Sequence, residues 1–336
     1  MHALSRASVL LVGPGWLGGA IVDALLLAGA NVWTMQRSPP QAVTQTDDVT
    51  GPDTPARGQR HDLVGDIQSA ATDAVIMGQL PSRLDHVVLC IAPSRERGDT
   101  HESSYPAAAR GALAVALATG ACTLLYTSST GVYGRTDGSV VTDDSPVEPT
   151  DVRQQALVDA ERALLDSSAS GADGTVPGIV VLRVAGLYGP GRDPARRFGD
   201  PAILADAGIS WSNFAWRDDV ASAVLHLLSD PRFHRGGHVF NCADGHPMQA
   251  REIAFALGVE RSPDDTRATP ESGAGTRSSR GAIRSNQRIM VDGLLAAGWR
   301  PAVPTVLHGL ARLGHQLQRT DERDGNTRQA IEPVAS

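Results

Sequence analysis

The sequence predicts an α/β fold built on an open, doubly wound parallel sheet, and three observations carry that expectation. Apolar runs of strand length alternate with helix-like segments from the N-terminus onward. Residues 85–92 (DHVVLCIA) form an unbroken apolar run of the kind buried on both faces of a parallel sheet. A glycine-rich turn, GPGWLG at 13–18, separates the first strand from the first helix.

In chain order, 8–12 reads as a strand, 17–28 as a helix ended by Gly29, and 31–35 as a second strand. Pro, Gly, Thr and Asp dominate 38–60, which reads as a polar surface loop, and His61-Asp62-Leu63 ends a short third strand. The fourth strand spans 85–92, an Ala-rich helix follows at 105–119, and CTLLYTS at 122–128 is the fifth strand. Helix 151–167 lines up Val152, Ala156, Ala160 and Leu164 on one face. IVVLRV at 179–184 is the sixth strand, leading into the loop 185–192.

Beyond that loop strands become sparse. A helix is expected at 218–228, a strand returning to the sheet at 238–242, a helix at 250–257, a polar mobile loop at 262–284 and a closing segment at 290–310. The expected division is a cofactor-binding domain over 1–186, a mainly substrate-binding domain over 187–315 and a disordered tail over 316–336.

Composition removes several chemistries. All 30 basic side chains among the 336 residues are arginine. Without lysine there is no Schiff-base or pyridoxal-phosphate chemistry and no Walker-type phosphate site. Arginine, backbone N–H groups and helix N-termini must hold any phosphate, and arginine does not act as a base at neutral pH. A net charge of −7 opposes binding to nucleic acid or to an anionic membrane. Cys90, Cys122 and Cys242 are widely spaced and read as free thiols, and the ten histidines form no metal-binding pattern, so no metal is expected. The first apolar run is too short, and too soon broken by Gly and Pro, for a signal peptide or membrane span, so a cytoplasmic location is expected. Nothing in the composition excludes a homodimer.

Four motifs carry chemistry. In Gly13-Pro14-Gly15-Trp16-Leu17-Gly18 the first glycine permits a tight turn, the second lets the backbone approach a pyrophosphate, and the third allows close packing of helix on strand. The second strand leads into Arg37-Ser38 where an NAD site would present a carboxylate to the ribose, so NADP(H) is preferred over NAD(H). Ser128-Ser129-Thr130-Gly131-Val132-Tyr133-Gly134 follows the fifth strand, at the edge where ligands bind in open α/β sheets. Arg183, with Tyr188-Gly189-Pro190-Gly191-Arg192, brings a phenol and guanidinium groups to the same edge. Asp218-Asp219 reads as a cap on the helix that follows rather than as a catalytic pair, and Asp143-Asp144 is read with the same caution.

Over residues 8–312 the chain resembles the extended short-chain dehydrogenase/reductase superfamily, in particular its atypical NAD(P)-dependent epimerase/dehydratase-like members. GPGWLGG, HDL, SSTGVYG, LRVAGLYGPGR, WRDDVASAVLHLL, VFNCADG and the closing GW-x-P-x-x-P-T…GL carry the likeness by their order and spacing. The resemblance implies a Rossmann-type domain with a smaller C-terminal substrate-binding domain. It would put Gly13, Gly15, Trp16, Leu17 and Gly18 on the pyrophosphate and Arg37, with Ser38, at the adenosine end. Asp62 and Leu63 would lie at the adenine, Ala92 and Pro93 along the ribose, Ser128 beside the nicotinamide, and Ser129 at the catalytic Ser/Thr position.

The family's YxxxK pair is missing. With Glu161 aligned to the acidic residue that commonly follows that motif, Arg153 stands at the tyrosine position and Leu157 at the lysine position. Trp216 replaces a frequent histidine, and Gln287 a frequent lysine. The expected function is therefore NADP(H)-dependent oxidoreduction of a small metabolite with non-standard acid/base groups. Tyr133 and Tyr188 are the foremost phenols, Ser129 a relay, Tyr105 and His101 weaker choices, and Arg153 a substrate-anion ligand. An iminium or a conjugated alkene would suit such a site. A non-redox lyase, epimerase or cyclase with bound NADP is the alternative, and a cofactor-sensing binding protein a third reading.

Overall fold

The computed structural model describes residues 4–39, 57–92, 100–169, 175–198, 210–259 and 285–318. Pro93, most of the loops expected at 38–60 and 262–284, and nearly all of the expected tail lie outside them.

Seven parallel strands form the central sheet. They are β1 (Ser8–Val12), β2 (Asn31–Gln36), β3 (Arg60–Val64), β4 (His86–Leu89), β5 (Thr123–Ser129), β6 (Gly178–Val184) and β7 (Gly237–Cys242). Their order is β7-β6-β5-β4-β1-β2-β3. Every residue of β4 and β6 is buried, as Val- and Leu-rich strands covered by helices on both faces must be. The register places Leu10 between Trp33 of β2 and Val87 of β4. Chain direction across the sheet reverses at β1 and β4, so a crevice opens beyond their carboxyl ends.

The flanking helices begin with α1 (Trp16–Leu27), the short α2 (Ile67–Ala70) and α3 (Ala74–Gln79), α4 (His101–Ala118) and α5 (Val152–Ala169). The sequence pattern did not reveal α2 and α3, because each is too short to show a period. Their signals are the caps: the Asp66 carboxylate accepts from Gln68 N at 3.0 Å, and Asp73 from Val75 N at 2.9 Å and Ile76 N at 3.2 Å.

After β6 the chain builds a second, smaller apolar cluster around Tyr188, Phe198, Phe214, Trp216, Ile253 and Val306. Short strand pairs frame it: Gly186–Tyr188 runs parallel to Phe214–Trp216, and Trp211–Ser212 antiparallel to Met248–Gln249. Another pair, Ser139–Val141 with Gln287–Ile289, ties the loop after β5 to a segment near the C-terminal end of the fold.

Candidate active site

The glycine turn is built around atoms rather than empty space, with one exception. Gly13 has φ +86°, and a Cβ there would stand 2.3 Å from the Cys90 carbonyl oxygen. A Cβ on Gly18 would meet Gly13 O at 2.2 Å. Around Gly15 nothing lies within 4 Å of a Cβ, and this residue starts α1 with no side-chain cap and no acidic residue in the first turn. Helix α1 thus opens without a side-chain cap beside the clear space at Gly15, at the positive end of the helix dipole, a setting suited to a pyrophosphate.

Leu17 is buried, whereas Trp16 is only half so. The Trp16 indole Nε1 donates to Pro190 O at 3.0 Å, and the guanidinium carbons of Arg192 and Arg217 lie 4.4 and 5.3 Å from its ring centroid. The loop 188–192 is thereby fastened to the glycine turn.

Arg37 follows β2 directly and is exposed, with Ser38 half-buried beside it. Asp62 is the central residue of β3 and Leu63 the last but one, so the strand ends one residue beyond the expected His61-Asp62-Leu63. Leu63 is buried, and Asp62, paired in register with Thr34, accepts from Thr34 Oγ1 at 2.5 Å and Arg60 Nε at 2.8 Å. Gly65 and Asp66 follow that strand directly. Ala92 is exposed just past β4.

At the end of β5 a buried polar network crosses the sheet. Ser128 Oγ donates to Glu161 Oε1 at 2.5 Å, and Arg183 Nη2 donates to Glu161 Oε2 at 2.7 Å. Arg183 Nη1 donates to the Tyr133 hydroxyl at 2.9 Å, and that hydroxyl lies 2.7 Å from Asn241 Oδ1 and 3.0 Å from Thr142 O. Burial raises the Tyr133 pKa against the pull of Arg183. Ser129 is the N-cap of a 3-10 turn, Thr130–Tyr133, its Oγ accepting from Gly131 N at 3.2 Å. Gln287 reaches the same turn, Nε2 donating to Thr130 O at 2.9 Å.

The structure thus separates the expected acid/base residues. Tyr133 is wholly enclosed and held by its hydroxyl. Tyr188 is buried in the second cluster, edge-on to Phe214 and Trp216, its hydroxyl 3.4 Å from Thr305 O. Arg153 is exposed on the first turn of α5, whereas Tyr105, in the second turn of α4, is buried.

The aspartate pairs need correcting. Asp218 and Asp219 lie in the first turn of the helix Arg217–Ser229, but neither side chain caps it. Asp218 pairs with Arg217 at 2.7 Å, and Asp219 accepts from Ala302 N and Val303 N, both at 2.9 Å. Asp143 accepts from Asn241 N at 2.6 Å and so braces β7. Asn241 and Asp244 lie in the VFNCADG motif, to whose residues the sequence reading gave no individual role.

The cysteines are free thiols, and the described residues contain no cluster of His, Cys, Asp or Glu able to hold a metal ion. No helix among the described residues is long and apolar enough to cross a membrane.

Known proteins share this fold. The pattern of the NAD dependent epimerase/dehydratase family matches residues 9–243. Protein YeeZ of Escherichia coli (strain K12) is 30% identical over 272 residues, spanning 80% of this chain and 89% of YeeZ. Among solved structures, an NAD-dependent epimerase/dehydratase from Methylobacillus flagellatus superposes with a TM-score of 0.66 at 22% identity, over 92% of this chain and 98% of that one. The dTDP-glucose 4,6-dehydratase of Bacillus anthracis str. Ames, in complex with NAD, gives 0.63 at 15% identity, over 90% and 94%. With the family pattern matched across most of its length, this chain belongs to the NAD-dependent epimerase/dehydratase family.

Proposed function

We propose that the chain is an NADP(H)-dependent oxidoreductase of a small metabolite, working without the tyrosine–lysine pair. The observation that carries this reading is the open space at Gly15 before an uncapped α1, combined with the exposed guanidinium of Arg37 at the end of β2. The first turn of α1 would hold the pyrophosphate, and Arg37 with Ser38 a ribose 2′-phosphate. Ser128 and Ser129 would border the nicotinamide, which supplies hydride transfer when bound. Solved relatives hold NAD; the preference for the phosphorylated form rests on Arg37 alone.

Titration calorimetry with NADPH and NADH tests it. NADPH should bind more tightly, and Arg37→Ala should reduce that preference about tenfold or more, since a charge-assisted contact to phosphate contributes about 1.5–3 kcal/mol. Equal affinity for the two cofactors in the unaltered protein would overturn the NADP assignment. The missing pair also favours a second reading, a lyase, epimerase or cyclase in which NADP is not consumed. A product isomeric with its substrate, or differing from it by water, identifies that class.

A further inference from the structure

We propose that Arg192, standing on the indole of Trp16 at the start of α1, is a ligand of the cofactor's pyrophosphate and closes over the anion from the loop side. The proposal rests on the cofactor reading above and names the side-chain cation which that reading leaves open.

The balance of charge calls for such a cation. A pyrophosphate joining two nucleosides carries two negative charges, whereas a helix N-terminus offers the equivalent of about half a positive one. The turn GPGWLG contains no charged side chain. With no lysine in the chain, the remaining compensation falls to arginine. Arg37 is already assigned to the ribose 2′-phosphate.

Besides Arg37, the site contains Arg183, Arg192 and Arg217. Arg183 is buried, paired with Glu161 at 2.7 Å and bonded to the Tyr133 hydroxyl at 2.9 Å. Arg217 has its charge matched by Asp218, 2.7 Å away. Arg192 is exposed, and among the described residues its guanidinium makes no hydrogen bond or ion pair. Its contact is the Trp16 ring, with 4.4 Å from guanidinium carbon to ring centroid. A cation over an aromatic face needs no acceptor for its N–H groups, so the five donors of Arg192 remain for an oxygen anion.

The backbone keeps this cation in place. Gly189 N donates to Arg192 O at 3.1 Å, and Arg192 N to Gly189 O at 2.9 Å, closing a four-residue turn. Trp16 Nε1 holds that turn by Pro190 O at 3.0 Å. Gly189, at φ +146°, and Gly191, at φ +82°, let the turn lie directly on the indole: a Cβ on the first would stand 3.7 Å from Trp16 Cη2, and on the second 3.9 Å from Trp16 Nε1. On the far side Asp193 Oδ2 pairs with His315 Nε2 at 2.7 Å. Trp16 is also the first residue of α1, so one side chain joins the guanidinium to the helix end. The planar fork of Arg192 can there meet two phosphate oxygens at once.

Titration calorimetry on the full chain with three probes tests the assignment. NADPH is the first. The second, 2′-phospho-ADP-ribose, keeps the pyrophosphate and lacks the nicotinamide. The third, 2′-AMP, has the 2′-phosphate and no pyrophosphate. Arg192→Met keeps an apolar stem over the indole and removes the charge. It should weaken NADPH and 2′-phospho-ADP-ribose about tenfold or more and leave 2′-AMP and the urea unfolding midpoint unchanged. The dependence of NADPH affinity on salt should flatten as well. Arg37→Ala, by contrast, should weaken all three probes. Unchanged affinity of Arg192→Met for both pyrophosphate-bearing probes overturns the proposal, as does a loss confined to NADPH, which would put Arg192 at the nicotinamide. Equal loss on all three probes, or a fallen unfolding midpoint, also overturns it, because the turn and not a contact was then removed. The cofactor reading survives each of these outcomes; failure of the unaltered chain to bind NADPH overturns both.

Discussion

Asp244 shows how one side chain can set the pH response of the fold. It is 4% exposed at the end of β7, accepts from His246 N at 3.0 Å through Oδ1, and leaves Oδ2 buried without a partner. Burial, aided by Asp219, pushes its carboxyl up to about 7 from an ordinary 3.8. Because the folded value lies above the unfolded one, its contribution is fully present below about pH 4 and is lost as the pH rises through 7. Asp244→Asn keeps an oxygen for the backbone donor and removes the charge. Urea unfolding should find it more stable than the parent by about 2–4 kcal/mol at pH 8, with little difference at pH 4. Equal stability at pH 8 would show that water or a rearranged neighbour already satisfies the ionised carboxylate. Sequence alone could not single out this aspartate, since its environment is made by Tyr188, Asp219 and Val306, distant in the chain.

The glycine turn and the network beneath it differ in what they tolerate. Gly18→Ala drives a methyl against the Gly13 carbonyl, backbone against backbone, and should cost about 2–3 kcal/mol in urea unfolding. Gly15→Val meets nothing, so its unfolding midpoint should stay near that of the parent while NADPH affinity falls by about tenfold or more. A variant that lost both together would mean that Gly15 has a structural duty the geometry does not reveal. Glu161→Gln should be costlier, because it strands the Arg183 charge at 6% exposure; a loss of about 3–5 kcal/mol in the same assay is expected. These elements were unequally legible. GPGWLG sits where the sequence placed it because its spacing reports a local turn. The Ser128–Glu161–Arg183–Tyr133–Asn241 chain joins β5, α5, β6 and β7, and only folding brings those segments together.

At the scale of the whole molecule, the alternation of apolar runs and helices sufficed for the seven-stranded sheet, whose strands are long and continuous enough to declare themselves. The short pairs Trp211–Ser212 with Met248–Gln249, and Gly186–Tyr188 with Phe214–Trp216, did not show in the sequence. Strands of two or three residues carry no period and are set by the aromatic cluster they surround. Trp16 ties the glycine turn to the loop that leaves the second apolar cluster at Tyr188. Its backbone opens α1, its Nε1 holds Pro190, and its ring carries the side chains of Arg192 and Arg217. Any parting of the loop from the glycine turn strips those cations from the indole and admits water to its face. With the other four tryptophans, Trp33, Trp211, Trp216 and Trp299, replaced by phenylalanine, the emission of this one ring would register such a parting without an added label.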